Sequence, residues 1–130
     1  MSTGSIELLA TRRDVWSFLS EPYHLTDWWP GITGVEPDRR GFAPGARWKV
    51  IATRRNVFAG PRSTETLLLI REIDPYERWT WHLVATSLDV EIRLRASAED
   101  RTVATIALSK GAPANALKRL YDLCQTAATG

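Results

Sequence analysis

The chain has 130 residues, 44% of them apolar and 25% charged, with 17 Lys and Arg against 15 Asp and Glu for a formal charge of +2. That is the size of one ordinary domain, able to bury roughly two thirds of the surface its unfolded form exposes, so neither metal nor disulfide is needed to hold a core. The balanced charge excludes disorder and a concentrated cationic field, so nucleic acid is not expected as a partner.

Residues 5–9 read as a short strand. Glu7 interrupts the apolar stretch of residues 1–10, which has no basic segment, so neither a secretory signal nor a membrane span is expected there, and the location is expected to be cytoplasmic. Thr11 followed by Asp14 has the spacing of a helix cap, and Val15, Phe18 and Leu19 form an apolar stripe over a helix at 12–19 bordered by Trp16. Pro22 suits the first turn of a second short helix, which carries Leu25, Trp28 and Trp29 and ends before Pro30 and Gly31.

From Ile32 onward the hydrophobic period changes to two. Strands are predicted over 34–38, 47–52, 64–73, 78–85, 88–96 and 102–110, in the order of an antiparallel meander. The clearest is 88–95, in which Leu88, Val90, Ile92 and Leu94 alternate with Asp89, Glu91, Arg93 and Arg95. A hairpin turning at Thr86 and Ser87 pairs Leu83 with Val90, Trp81 with Ile92 and Trp79 with Leu94, and puts His82 opposite Glu91 on the outer face. In the last strand Ala104, Ile106 and Leu108 form the core phase. They match Ile92, Leu94 and Ala96 only if an odd number of residues intervenes, most simply the loop 99–101. The run Leu67, Leu68, Leu69, Ile70 is apolar on both phases, so its inward side is undetermined and a bulge is a reasonable expectation. Pro113 opens a final helix to about residue 127, with Leu117, Leu120, Tyr121 and Cys124 on its inner stripe. The lone cysteine suits a reducing compartment, and burial there would keep its thiol unreactive. The sum is an α+β domain: a seven-stranded curved antiparallel sheet, two short helices after the first strand, and a C-terminal helix packed on the sheet.

Four local pieces fall in the order of a known family. They are Arg13-Asp14-Val15-Trp16-Ser17-Phe18-Leu19, then Glu21-Pro22-Tyr23-His24-Leu25 with Trp28-Trp29-Pro30, then Pro44-Gly45-Ala46-Arg47-Trp48, then Ile73-Asp74-Pro75-Tyr76-Glu77-Arg78-Trp79. Together they resemble the START-like helix-grip superfamily over almost the whole chain. The last strand reaches the helix through only Gly111 and Ala112, which is more similar to the polyketide cyclase/dehydrase-like branch than to activators of heat-shock ATPases. The resemblance implies a single ligand-binding domain with a cavity between helix and sheet. Seven strands about 4.8 Å apart are wider than one helix of roughly 10–12 Å, so other side chains must close the gap or line a pocket. The expected lining is Trp28, Trp48, Trp79, Trp81, Leu83, Ile92, Leu94, Ile106, Leu108, Leu117, Leu120 and Tyr121.

A small aromatic, polyketide or lipid-like molecule would fit such a wall, which makes binding or transport the leading expectation. One alternative is a cofactor-independent cyclase, aromatase or dehydratase using the same cavity, for which His24 and an inward Glu72 or Glu65 are the candidate acid or base. Another is a protein-interaction module with a filled core. His24 and His82 are far apart in sequence and Cys124 is far from both, so no metal site is expected. No nucleotide-binding glycine motif is present, so no cofactor is expected either. Oligomeric state and ligand identity have no signal in the sequence.

Overall fold

The computed structural model describes residues 1–56, 58 and 60–129, apart from the side chains of residues 54–56, 61 and 125–129. The elements run β1 (Ser2–Leu8), α1 (Arg12–Leu19), a 3₁₀ turn (Pro22–His24), α2 (Leu25–Trp28), β2 (Ile32–Glu36), β3 (Arg47–Asn56), β4 (Gly60–Asp74), β5 (Arg78–Leu83), β6 (Leu88–Ala98), β7 (Arg101–Leu108) and α3 (Ala114–Thr129). All seven strands form one antiparallel sheet in the order β1-β7-β6-β5-β4-β3-β2. The helix-grip arrangement expected from the sequence is therefore present, with α3 packed against β1 and α2. Among the described residues no helix is long and apolar enough to cross a membrane.

Local chemistry explains most boundaries. Thr11 caps α1 by accepting from the Asp14 amide at 3.1 Å. Pro22 starts the 3₁₀ turn, and the Glu21 side chain accepts from the Tyr23 amide there. Alternation in β5 and β7 is strict, so Trp79, Trp81, Leu83, Ala104, Ile106 and Leu108 are all buried.

Two pairings differ from expectation, both through turn geometry, and the expected bulge in β4 is present. The β5–β6 turn occupies residues 84–87, with Ser87 in the left-handed region at φ 51°. The register thus moves by two: Trp81 opposes Val90, Trp79 opposes Ile92, and His82 opposes Asp89 instead of Glu91. A two-residue slip preserves the buried face, so the hydrophobic pattern alone could not exclude it. Between β6 and β7 the parity requirement is met by a turn at residues 99–100 plus a bulge between Ala96 and Ala98, so Ile92 opposes Ile106. In β4 the inward phase is Leu68 and Ile70, and a bulge between Ile70 and Glu72 then reverses the parity and places Ile73 opposite Trp79. Trp16 is also more deeply buried than Phe18, so α1 turns its indole into the core.

The sheet and α3 approach closely at one end. A Cβ on Gly4 of β1 would lie 2.9 Å from Pro113 Cγ and 3.0 Å from Leu117 Cδ1, so the absent side chain is what admits the helix.

Candidate functional site

The interior that the sheet presents to α2 is walled by indoles. β3 contributes Trp48, β5 contributes Trp79 and Trp81, and α2 contributes Trp28; all four are 0–1% exposed. Period two puts Trp79 and Trp81 on one face of β5, their centroids 5.6 Å apart and their planes inclined by 32°. Trp29, at the end of α2, stands edge-on to Trp81 at 4.7 Å and to Trp28 at 5.4 Å. Phe42, from the loop 37–46 between β2 and β3, stands edge-on to Trp79 at 4.9 Å and to Trp16 at 5.6 Å. Edge-on contacts set positive ring edges against negative faces, so the belt is ordered and not simply apolar.

The polar edges of these rings are not equally treated. Trp48 Nε1 donates to the Gly41 carbonyl at 2.7 Å, which ties the loop 37–46 to β3. The Asp38 carboxylate accepts from the Arg47 and Arg40 amides, which holds it below its ordinary pKa and fixes both ends of the same loop. Trp79 Nε1 and Trp81 Nε1, by contrast, are buried without any hydrogen-bond partner. A buried donor left unmet costs about 1–3 kcal/mol, so the wall carries a destabilising feature that packing alone does not explain.

The remaining expected lining residues are also inside. Leu83, Ile92, Leu94, Ile106, Leu108, Leu117 and Leu120 are buried, and Tyr121 packs against them partly exposed. Trp29 and Phe42 were missing from the expected lining. Trp29 was legible as the second half of a Trp-Trp pair, whereas Phe42 lies in an irregular loop where periodicity carries no signal. Among the described residues the one buried polar side chain is Thr102, whose Oγ1 donates to the Ala10 carbonyl at 2.9 Å, so the interior holds no buried charge there. Cys124 is buried on α3, and burial pushes its thiol up to about 11, as expected for an unreactive cysteine.

Neither candidate acid or base faces that interior. His24 donates Nδ1 to the Phe18 carbonyl at 2.8 Å and stacks on the Phe18 ring at 4.3 Å, so it closes the turn between α1 and α2. Glu72 follows the β4 bulge to the outer face, where it is 62% exposed and its carboxylate meets Arg78 at 2.6 Å. Glu65 is exposed as well. The inward carboxylate of the sequence reading is thus corrected: the bulge turns Glu72 out. His82 pairs with Asp89 at 2.7 Å on the same outer face. Among the described residues, no three His, Cys, Asp or Glu side chains group as a metal site.

The outer face instead carries an ion-pair network. Arg78 also meets Glu91 at 2.9 Å and Asp74 at 3.6 Å, and Arg93 meets Glu91 at 2.7 Å. These arginines border a cleft of about 420 Å³ with Arg12, Arg95 and Thr105, outside the indole wall. Hydrogen bonds from Arg93 and then Arg78 hold the Glu91 carboxyl below its ordinary value, outweighing the opposite pull of burial. A carboxyl depressed in the folded state contributes stability above the ordinary carboxylate pKa of about 4.3 and loses it as pH falls through the depressed value. Glu91→Gln is therefore expected to lower the Tm at pH 7 and to match the parent near pH 2. An equal gap at both pH values would show that the charge is not what Glu91 contributes.

The sequence matches no protein-family model and no curated protein. Solved structures do share the fold. A norcoclaurine synthase point mutant from Thalictrum flavum, in complex with a transition-state analogue, aligns at a TM-score of 0.69 with 16% identity, over 96% of this chain and 93% of that one. A protein of Nitrosomonas europaea aligns at 0.68 with 17% identity, over 98% and 96%. Ara h 8.0201 aligns at 0.63 with 13% identity, over 95% and 97%. These likenesses show the START-like helix-grip fold, and at such identities the fold alone.

Proposed function

We propose that the chain binds a small, mostly apolar molecule in the interior walled by Trp48, Trp79 and Trp81, with Trp29 and Phe42 as the rings it displaces. The observation that carries this is the pair of buried, unpartnered N–H groups of Trp79 and Trp81. Donors in an apolar wall serve a guest that brings the acceptor, and an aromatic wall with a few polar groups is the usual composition of a small-molecule site. Binding of this kind needs no cofactor and no catalytic group. His24 and Glu72, the candidate acid and base of a cyclase or dehydratase, are engaged elsewhere, His24 with the Phe18 carbonyl and Glu72 with Arg78.

Phe42 is the entrance. It is only partly buried, and it rides on a loop whose Gly41 and Gly45 occupy the left-handed region at φ 62° and 85°. In this reading the Phe42 ring, edge-on to Trp79 at 4.9 Å, is the one that moves.

The test is titration with the uncharged dye N-phenyl-1-naphthylamine. Dye emission is expected to rise saturably, and the protein to gain about 2–3 kcal/mol of stability at a hundredfold excess over Kd. Phe42→Ala is expected to speed association while keeping the plateau. A linear, unsaturable rise with no thermal shift would overturn the proposal, and so would an association rate indifferent to Phe42.

A further inference from the structure

We infer that the polar group of the guest is an uncharged carbonyl oxygen received by the Trp79 and Trp81 N–H groups together, so that the site takes neutral ketones, quinones or esters on a flat apolar body and rejects the matching carboxylates. This rests on the interior binding proposed above.

The donor count comes first. Two N–H groups are buried without a partner, and both rings project from one face of β5 with centroids 5.6 Å apart. One oxygen serves both donors when it stands about 2.9 Å from each nitrogen. A carbonyl oxygen carries two lone pairs in the plane of its substituents and can accept both. The protein already contains one single indole-to-carbonyl bond, from Trp48 Nε1 to the Gly41 carbonyl at 2.7 Å.

Charge decides between acceptors. Among the described residues no charged side chain is buried. A carboxylate entering this wall would leave water with no counter-charge and only two neutral donors, a transfer that ionised groups avoid by taking up a proton or staying outside. A hydrocarbon would pay no such desolvation but would leave both N–H groups unmet. Of the three, the neutral carbonyl satisfies the donors without bringing a charge.

Three probes with one ring system separate these cases: 2-acetylnaphthalene, 2-ethylnaphthalene and 2-naphthoate, measured by calorimetry at pH 7.5. The ketone is expected to bind roughly tenfold or more tighter than the hydrocarbon, which corresponds to two modest hydrogen bonds, and tighter again than the naphthoate. The carbonyl stretch of the bound ketone should move to lower frequency than in an aprotic solvent. Trp79→Phe and Trp81→Phe keep an aromatic ring while removing one N–H each, and each should weaken the ketone roughly 3- to 10-fold more than it weakens the hydrocarbon and reduce the frequency shift. Should one variant fail to fold, the other provides the same comparison. Equal affinities for ketone and hydrocarbon, a naphthoate bound as tightly as the ketone, or a stretch indifferent to both variants would overturn the inference while leaving interior binding intact. If none of the three binds but N-phenyl-1-naphthylamine does, the inference alone falls; if the dye also fails to bind, both fall.

Discussion

Trp79→Ala is expected to cost about 3–5 kcal/mol of folding stability, whereas Trp79→Phe should cost less than half as much. The indole of Trp79 is fully buried, and its ring meets Trp81, Trp48 and Phe42 at centroid distances of 5.6, 6.0 and 4.9 Å. Alanine removes all of those contacts and leaves a void that ordered strands on either side cannot collapse into. Phenylalanine keeps most of the bulk and also deletes an N–H that is buried without a partner, so part of the lost packing is offset by relief of about 1–3 kcal/mol. A domain of this size has about 5–15 kcal/mol in hand, so the alanine variant should be partly unfolded at modest urea concentration. Equal losses for the two variants in urea titrations would show that the N–H is satisfied in solution, which removes the basis of the binding proposal too.

Gly4→Val is expected to destabilise by about 1–3 kcal/mol, and Leu117→Ala should restore part of that loss. A first side-chain carbon at Gly4 would already stand 2.9 Å from Pro113 and 3.0 Å from Leu117, and valine adds two methyl groups beyond it. Pro113 has a rigid ring and cannot swing aside, so the strain must be taken up by α3 (Ala114–Thr129) at its first turn. The Leu117 methyl is movable, which is why trimming it should help. A thermal-denaturation cycle over the two single variants and the double variant reads the coupling directly. Strict additivity would mean that the helix start is not seated on β1 as described.

The sheet was largely legible because it is written in alternation. Leu88 to Leu94 announces its buried face without ambiguity, and Ala104, Ile106 and Leu108 are buried as their phase requires. What alternation cannot read is any displacement of two residues, because both registers bury the same side chains. The β5–β6 pairing was misread for that reason, and the deciding quantity, a left-handed Ser87, has no hydrophobic signature. Bulges are similarly silent. The one after Ile70 decides that Glu72 joins the outer ion-pair network, and nothing in Leu67-Leu68-Leu69-Ile70 distinguishes the phases. The site was legible as a wall and not as an entrance: the strand tryptophans declare themselves by spacing, while Phe42 sits between turns where only tertiary contacts give it meaning. Helix caps fared best, because Thr11 and Pro22 act through bonds to residues two or three positions away.

The pairing of β1 with β7 joins Ser2 to Leu108 and Leu8 to Thr102, nearly the longest separation the chain allows. On a ribosome adding about 5–20 residues per second, the first strand is exposed for roughly 5–20 s before its hydrogen-bonding neighbour has been made. Throughout that interval the opening segment presents a bare β-edge, and the groove that receives α3 does not yet exist. Serine, threonine and glycine, with only Glu7 charged, make that waiting stretch poorly adhesive to apolar surfaces. Nascent chains halted before residue 101 should therefore show β1 readily cut by protease, and chains carried through β7 should show it protected.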